Sequence, residues 1–254
     1  MFDGCINLIS VNLSNFNSPL LENMNNLFFE CESLLYLDLS GINTSSETSI
    51  ISMLYGSHSL TSIYFGNFDT SKVNNINYIF RECYLLTSLE LSHFNVSSVV
   101  HMDSMFYECT SLISLNLSNF ITSSVETFDS MFYGCTNLEY IDISNFDTSQ
   151  IISLSWLFGD CKNLKYISIN NLIEEESIDI QYIFYEVPED FTYCVNNEEN
   201  ISLILNEIKN KNCTINDCTN DWYLKTKKII SEKKIGVYNC SLDEQYKYEY
   251  KNIC

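Results

Sequence analysis

The sequence MFYGCTNLEYIDISNFDTS, residues 131–149, carries a pattern that recurs along most of the chain. Its cysteine belongs to a column of residues separated by 26 positions or a multiple of 26, and a leucine always follows three residues later. The column consists of Cys5, Cys31, Cys83, Cys109, Cys135 and Cys161, with Ser57 in the one position that lacks a cysteine. Seven units, starting near residues 5, 31, 57, 83, 109, 135 and 161, therefore follow one another, and such a fixed period is the signature of a repeat protein.

The first half of each unit has the apolar alternation of a short strand. In the unit that starts at Cys135, the apolar side chains of Ile141 and Ile143 alternate with polar or aromatic neighbours, and Phe146 follows. A period of two places alternate side chains on one face of a strand. The alternation therefore predicts one strand in each unit.

The second half of each unit has a different period. Residues 147–149, Asp-Thr-Ser, are short polar side chains of the kind that bond free backbone N–H groups at the start of a helix. The apolar residues Val125, Phe128 and Phe132 recur at helical spacing, and Gly134 is typical of a helix end. We therefore predict a helix after each strand.

One strand and one helix of this length cannot bury both of their apolar faces alone, so the units must stack on one another. The predicted fold is an α/β repeat solenoid over residues 1–186, with a parallel sheet on one side and helices on the other. From Val187 onward the period is lost, and the composition shifts toward Lys, Asn and Cys. This shift predicts a small C-terminal module over residues 187–254.

The pattern Met-Phe-x-x-Cys-x-x-Leu-x-x-Leu-x-Leu-Ser-x-Phe-x-Thr-Ser, clearest at residues 105–123 and 131–149, resembles the BspA-type leucine-rich repeat, which is also described in mycoplasma lipoproteins. The resemblance covers residues 1 to about 186. It implies a leucine-rich-repeat solenoid that is surface-exposed or secreted and acts in adhesion, and it brings no catalytic residues. The chain departs from the pattern at Ser57 and Gly66, which replace Cys and Ser, and at residues 174–176, where three glutamates displace the Thr-Ser pair.

The chain is strongly acidic, with 13 Lys and Arg against 33 Asp and Glu and a formal charge of −20. Nucleic-acid binding requires many basic contacts with phosphates, so this balance argues against a nucleic-acid partner. No apolar run is long enough to predict a transmembrane segment, and no secretory signal is visible. Residues 1–5 repeat the motif of residues 131–135, so the chain begins inside a unit and we interpret it as a fragment of a longer surface protein.

The side chains five and seven residues after the cysteine position are expected to point outward from the sheet. Solenoids commonly bind through such a surface, and tyrosine offers contact area and a hydroxyl at low entropic cost. We therefore predict a binding face for a protein or a cell-surface glycoconjugate, the alternative being a solvated face without a ligand. Its candidate residues are Tyr36, Asp38, Tyr64, Glu90, Asn116, Tyr140, Asp142 and Tyr166.

The cysteines fall into two groups. One cysteine per unit is more simply a small buried residue than a metal ligand or a disulfide half, and Ser57 shows that the position accepts a non-thiol. The C-terminal module carries further cysteines without any histidine, which favours disulfides over zinc. The disulfide candidates are Cys194, Cys213, Cys218 and Cys240, with Cys254 left over.

Catalysis has no visible basis in the sequence. His58, His93 and His101 stand in different contexts, and no nucleophile, phosphate-binding or dinucleotide motif occurs. We therefore predict neither an enzyme nor a metal or other cofactor. The leading hypothesis is an adhesive ectodomain of a surface or secreted protein, and the alternatives are an intracellular scaffold or regulatory protein and a passive structural spacer.

Overall fold

A computed structural model describes residues 1–16, 23–42, 49–66, 68–169, 172–173, 177–195, 201–209 and 214–216. Eight strands of three residues each and one helix occur in this part of the chain. In chain order they are β1 Ser10–Asn12, β2 Tyr36–Asp38, β3 Ser62–Tyr64, β4 Ser114–Asn116, β5 Tyr140–Asp142, β6 Tyr166–Ser168, β7 Thr192–Cys194, α1 Ser202–Lys209 and β8 Thr214–Asn216.

The strands form parallel sheets arranged as a solenoid of about six turns with little helix. One sheet has the order β1-β2-β3 and the other the order β4-β5-β6-β7-β8. From β1 to β3 and from β4 to β7, each residue pairs with the one 26 positions later, as Tyr140 does with Tyr166. The strand prediction is confirmed in six of the seven units, and residues 88–90 of the fourth unit form no strand.

The parallel pairing does not stop at residue 186. β7 continues the sheet in the same 26-residue register, and β8 pairs with β7 through Thr192 and Thr214. Val187 is buried at the position that cysteine occupies in the earlier units. The sheet therefore extends past the predicted boundary into the C-terminal segment.

The helices predicted in the second half of each unit are wrong, because this half is a run of turns. The N–H of Leu27 donates to Met24 O at 3.1 Å, and the N–H of Cys31 donates to Phe28 O at 3.2 Å, each three residues back. Between these turns, backbone N–H groups donate to the next coil, as Phe28 does to Met53 O at 2.8 Å. These bonds along the solenoid axis replace the i to i−4 bonds of an α-helix.

Left-handed backbone angles explain why no helix forms. Each turn run has positive φ at the residues five and one positions before the cysteine position, for example 56° at Ser130 and 70° at Gly134. Such angles interrupt a right-handed helix, and Gly134, expected at a helix end, is one of the two interruptions. The same pairs recur as Asn26 and Glu30, Ser52 and Gly56, Tyr78 and Glu82, Ser104 and Glu108, Trp156 and Asp160, and Tyr182 and Glu186.

The core consists of columns of identical or similar side chains stacked along the axis. Phe80, Phe106, Phe132 and Phe158 lie one above another, with ring centroids 5.5, 5.6 and 5.6 Å apart. The leucines three residues after the cysteine position are fully buried from the second unit to the sixth. Burial of each such side chain contributes about 1.5–3 kcal/mol, so the stack of coils stabilises what one coil alone would not.

The cysteine column has a structural role, as predicted. Cys31, Cys83, Cys109, Cys135 and Cys161 are buried free thiols. Each donates to a main-chain oxygen of the preceding coil, and the Sγ of Cys109 lies 3.1 Å from Phe80 O. Ser57 makes the same bond to Phe28 O at 3.2 Å, which explains why serine substitutes at this position.

The Asp-Thr-Ser stretch bonds the backbone as predicted, but within turns. The N–H of Ser149 donates to the Asp147 carboxylate at 3.0 Å. The buried hydroxyl of Thr148 donates to Ile173 O at 2.8 Å and accepts from the N–H of Ile173 at 2.7 Å. The hydroxyl therefore bridges two coils through the backbone of the next unit.

Candidate binding surface

The eight predicted binding residues lie along the sheet side, but they differ in exposure. Tyr36 is 40% exposed and Tyr64 57%, whereas Tyr166 is 7% exposed. Tyr140, Glu90, Asn116 and Asp142 are half-buried, and Asp38 is buried. Along these positions the exposed tyrosines thus lie in the second and third units.

Four of the polar candidates have a structural partner of their own. The N–H two residues further along donates to the side-chain oxygen in each case, at 2.9 Å for Asp38, 2.8 Å for Glu90, 3.1 Å for Asn116 and 2.9 Å for Asp142. These are side-chain turns that end the strand and redirect the chain. Their oxygens accept hydrogen bonds within the fold, which leaves Tyr36 and Tyr64 as the candidates with exposed contact area.

Tyr36 and Tyr64 lie close enough on neighbouring strands to influence each other. In the β2–β3 register, Tyr36 is opposite Ser62 and Asp38 is opposite Tyr64. The pKa of the Tyr36 phenol is raised by partial desolvation and then by the negative groups of Asp38 and Tyr64. The Tyr36 phenol is therefore a neutral donor and acceptor at physiological pH.

Two exposed aliphatic residues extend this area. Ile9 is 61% exposed and Leu35 45% exposed, and they lie in adjacent coils, where the N–H of Leu35 donates to Ile9 O at 2.8 Å. With Tyr36 and Tyr64 they form a group of large exposed side chains that we call the N-terminal sheet patch. Contiguous exposed apolar side chains of this kind are typical of interaction sites.

A second aromatic feature was missed by the sequence reasoning. Side chains two residues before the cysteine position line the outside of the turn runs, and we call them the outer aromatic column: Phe29, Tyr55, Arg81, Tyr107, Tyr133 and Tyr185. The Phe29 and Tyr55 rings stack at 4.8 Å, and those of Tyr107 and Tyr133 at 4.9 Å. The 26-residue spacing of these aromatics is present in the sequence, but the predicted helices gave no reason to expect that the rings stack between coils.

Arg81 is the cation of the outer aromatic column. Its guanidinium lies 3.8 Å from the Tyr107 ring centroid and 5.4 Å from that of Tyr55, and Tyr78 is 5.9 Å away. The Glu82 carboxylate is 3.2 Å from its Nε. The guanidinium thus replaces an aromatic ring in the stack, held by ring faces and one carboxylate.

A polar ladder runs along the start of the turn runs. The Asn77 side-chain oxygen accepts from the N–H of Asp103 at 2.6 Å, and the Asp129 carboxylate accepts from the N–H of Ser155 at 3.0 Å. Asp103 Oδ1 is buried and accepts no hydrogen bond from the described residues. Burial, together with the nearby charge of Asp129, raises the pKa of Asp103.

The histidines do not come together. His58 stacks on Tyr84 at 4.7 Å, and His93 packs against Phe65 and Phe94, where burial lowers its pKa. His101 takes part in a backbone bridge. Within the described ranges, no group of His, Cys, Asp and Glu has the arrangement of a metal site.

The disulfide candidates fall almost entirely outside the described residues. Cys194 ends β7 and is 2% exposed, with Ser168 Oγ 3.7 Å from its sulfur. Cys213, Cys218 and Cys240 lie outside the described ranges, so their pairing stays a prediction. In the described part of the chain, no helix has the length and apolar character needed to cross a bilayer.

Comparison with known proteins gives one match. No curated protein and no solved structure matches the chain. Three overlapping stretches, residues 1–114, 60–172 and 86–197, match a family described as Mycoplasma protein of unknown function, DUF285. Together these stretches cover residues 1–197, which include β1 to β7 and the turn runs between these strands. The chain therefore belongs to the DUF285 family.

Proposed function

We propose that the chain is a binding solenoid of the BspA-type leucine-rich-repeat kind, and that it holds a partner protein through the N-terminal sheet patch. The single observation that carries this proposal is the exposure of Ile9, Leu35, Tyr36 and Tyr64, at 61, 45, 40 and 57%. Side chains of this size are ordinarily buried when they can be. Their clustering on neighbouring coils supports a contact surface.

The chemistry of the patch favours a protein partner. Tyrosines and aliphatic side chains supply apolar contact area, and the phenol hydroxyls supply hydrogen bonds at little entropic cost. The chain carries a formal charge of −20, so a partner with basic groups around an apolar centre would be attracted to it. An anionic glycoconjugate would be repelled.

The test uses cross-linking from the patch. A photoreactive group is attached at Ser62→Cys, which is exposed, in a chain that also carries Cys5→Ser, because Cys5 is a partly exposed thiol. The other column thiols are buried, and burial raises the pKa of Cys31 to about 11. Cross-linking of a partner protein from position 62 should be prevented by excess unlabelled wild type added before irradiation. It should not be prevented by the Tyr36→Ser, Tyr64→Ser double variant.

A matched control removes equally exposed apolar side chains elsewhere. Ile121 and Ile152 are 60 and 65% exposed and lie outside the strands. The Ile121→Ser, Ile152→Ser variant should compete as well as wild type. Equal competition by both double variants, or no cross-linked protein at all, would refute binding through the patch.

The proposed location is the cell surface or the outside of the cell, and oxidised cysteines in the C-terminal segment are part of this proposal. Cys194 is buried at the end of β7, and the other candidates lie outside the described residues. Alkylation before and after reduction, followed by peptide mapping of protein from its natural source, is the measurement. Full reduction of the C-terminal cysteines would favour the intracellular scaffold instead.

A further inference from the structure

A pocket of about 350 Å³ lies where the last turn run meets α1. It is lined by Gln181, Tyr182, Phe184, Tyr185 and Glu207. Its volume falls at the lower end of the range of roughly 300–1,000 Å³ found for small-molecule sites. The pocket shares no residue with the N-terminal sheet patch and does not depend on the proposed function.

Its wall is built from aromatic rings at right angles. The rings of Tyr182 and Tyr185 make an angle of 84° with centroids 6.1 Å apart, and the Trp156 ring stacks behind Tyr182 at 4.4 Å. Tyr182 is 52% exposed and Tyr185 44%, whereas Phe184 is 5% exposed at the base. Two aromatic surfaces and the Glu207 carboxylate thus border one open space.

Elsewhere in the protein, a guanidinium lies against aromatic rings at the corresponding part of a turn run. Tyr78 and Arg81 occupy, four units earlier, the same repeat positions as Tyr182 and Tyr185. There the guanidinium of Arg81 lies 3.8 Å from the Tyr107 ring centroid and 5.9 Å from that of Tyr78, with the Glu82 carboxylate 3.2 Å from Nε. In the last unit a tyrosine takes the place of the arginine, and no cation is among the lining residues.

From this we infer that the pocket binds a guanidinium group, held against the Tyr182 and Tyr185 rings and paired with the Glu207 carboxylate. A guanidinium is planar, weakly hydrated and able to stack on rings while donating to a carboxylate. A lysine-type ammonium is a compact, strongly hydrated charge and fits this combination less well. The acidic character of the whole chain raises the local concentration of cations.

The fluorescence of Trp156 provides the readout. The chain has two tryptophans, so a Trp222→Phe background leaves Trp156, stacked on Tyr182, as the reporter. The probes are Nα-acetyl-arginine amide, methylguanidinium and the neutral isostere Nα-acetyl-citrulline amide. We expect saturable binding of both guanidinium probes and no binding of the citrulline compound. Tighter binding of the arginine amide would identify a side chain within a peptide as the source, and equal binding would identify the free group.

Matched variants test the residues. Tyr182→Leu removes one ring face and should weaken binding about 3- to 30-fold, the range that a cation–π contact supports. Tyr78→Leu changes a tyrosine at the same repeat position, with nearly the same backbone angle, 61° against 58°, and should leave affinity unchanged. Glu207→Gln changes only a charge on the exposed side of α1 and should weaken binding several-fold without affecting the fold.

Specific results would overturn this inference. These are the absence of saturable binding to wild type, equal binding of the citrulline amide, equal loss in the Tyr78 and Tyr182 variants, or full affinity in Glu207→Gln. Tighter binding of tetramethylammonium than of methylguanidinium would overturn the choice of ligand. Circular dichroism and thermal unfolding of each variant identify any loss that comes from misfolding, and Glu207→Gln keeps the test decisive if Tyr182→Leu does not fold.

Discussion

Replacing serine by glycine at the left-handed positions should stabilise the protein, which is the opposite of what a helix would show. Ser52 and Ser130 have φ values of 52° and 56°. A non-glycine residue with left-handed backbone angles destabilises the folded state by roughly 1–2 kcal/mol, and glycine removes this cost. Glycine also raises the entropy of the unfolded chain, which cancels about 0.4–1 kcal/mol of the stabilisation. Each substitution should therefore stabilise by about 0.5–1 kcal/mol.

The double variant Ser52→Gly, Ser130→Gly combines the two effects. The two serines lie three units apart, so their contributions should add to about 1–2 kcal/mol. For a domain of this size, that corresponds to a rise in Tm of roughly 2–8 °C. Thermal and urea unfolding, followed by circular dichroism and tyrosine fluorescence, measure the midpoints without assuming a two-state transition.

Ser118→Gly is the matched control. Ser118 is exposed and lies outside the set of residues with positive φ, and its N–H donates to Asn116 Oδ1 at 3.1 Å. Glycine there should destabilise by about 0.5–1 kcal/mol, because it adds only freedom to the unfolded chain. If Ser130→Gly lowered the midpoint as Ser118→Gly does, residue 130 would not be left-handed, and the turn runs would have to be helical.

Three further predictions concern buried polar contacts and are all read from unfolding midpoints. Cys109→Ser keeps a donor to Phe80 O and should cost less than Cys109→Ala, which loses about 1–3 kcal/mol; equal losses would show that the contact is unimportant. Thr122→Val should cost about 2–3 kcal/mol, because the hydroxyl both donates to and accepts from the backbone of Asp147, and a loss below about 0.5 kcal/mol would contradict this. Asp103→Asn should raise the free energy of unfolding by about 1 kcal/mol at neutral pH. The pKa of Asp103 is raised in the folded protein, so the wild type loses stability as the pH rises through that pKa. The stabilisation by Asn should therefore vanish in acid, and a stabilisation independent of pH would contradict the titration of Asp103.

The columns of the repeat could be predicted from sequence because each reports one local requirement. A leucine and an alternating apolar pair in every unit mark a buried strand, and six strands lie at the predicted positions. The turn runs could not be predicted in the same way. Apolar residues three and four apart occur in a helix, but they also occur in successive turns whose N–H groups bond to the next coil. Whether the N–H groups bond within a helix or to the next coil depends on the position of that coil, which the local sequence does not specify.

The candidate site was predicted in part for a similar reason. Of the eight candidates, Tyr36 and Tyr64 are exposed and Asp38 and Tyr166 are buried. All four polar candidates accept from their own backbone. A signal for this was present in the sequence, because Asn, Asp or Glu is followed two residues later by serine in most units. The outer aromatic column had an equally regular period, yet its role depends on which residues stack between coils.

The third unit shows how departures from the repeat can indicate function. Five of the other six units place Asn, Asp or Glu here as a turn-forming side chain. This unit has Tyr64, whose side chain cannot accept from the N–H of residue 66 in that way. Gly66 compensates with a φ of 60°, and a Cβ there would lie 2.4 Å from that of Ser40. The third unit therefore departs from the repeat at both Tyr64 and Gly66. A turn that gives up its side-chain hydrogen bond while exposing 57% of a tyrosine is difficult to explain by stability alone, and it lies within the surface proposed to bind.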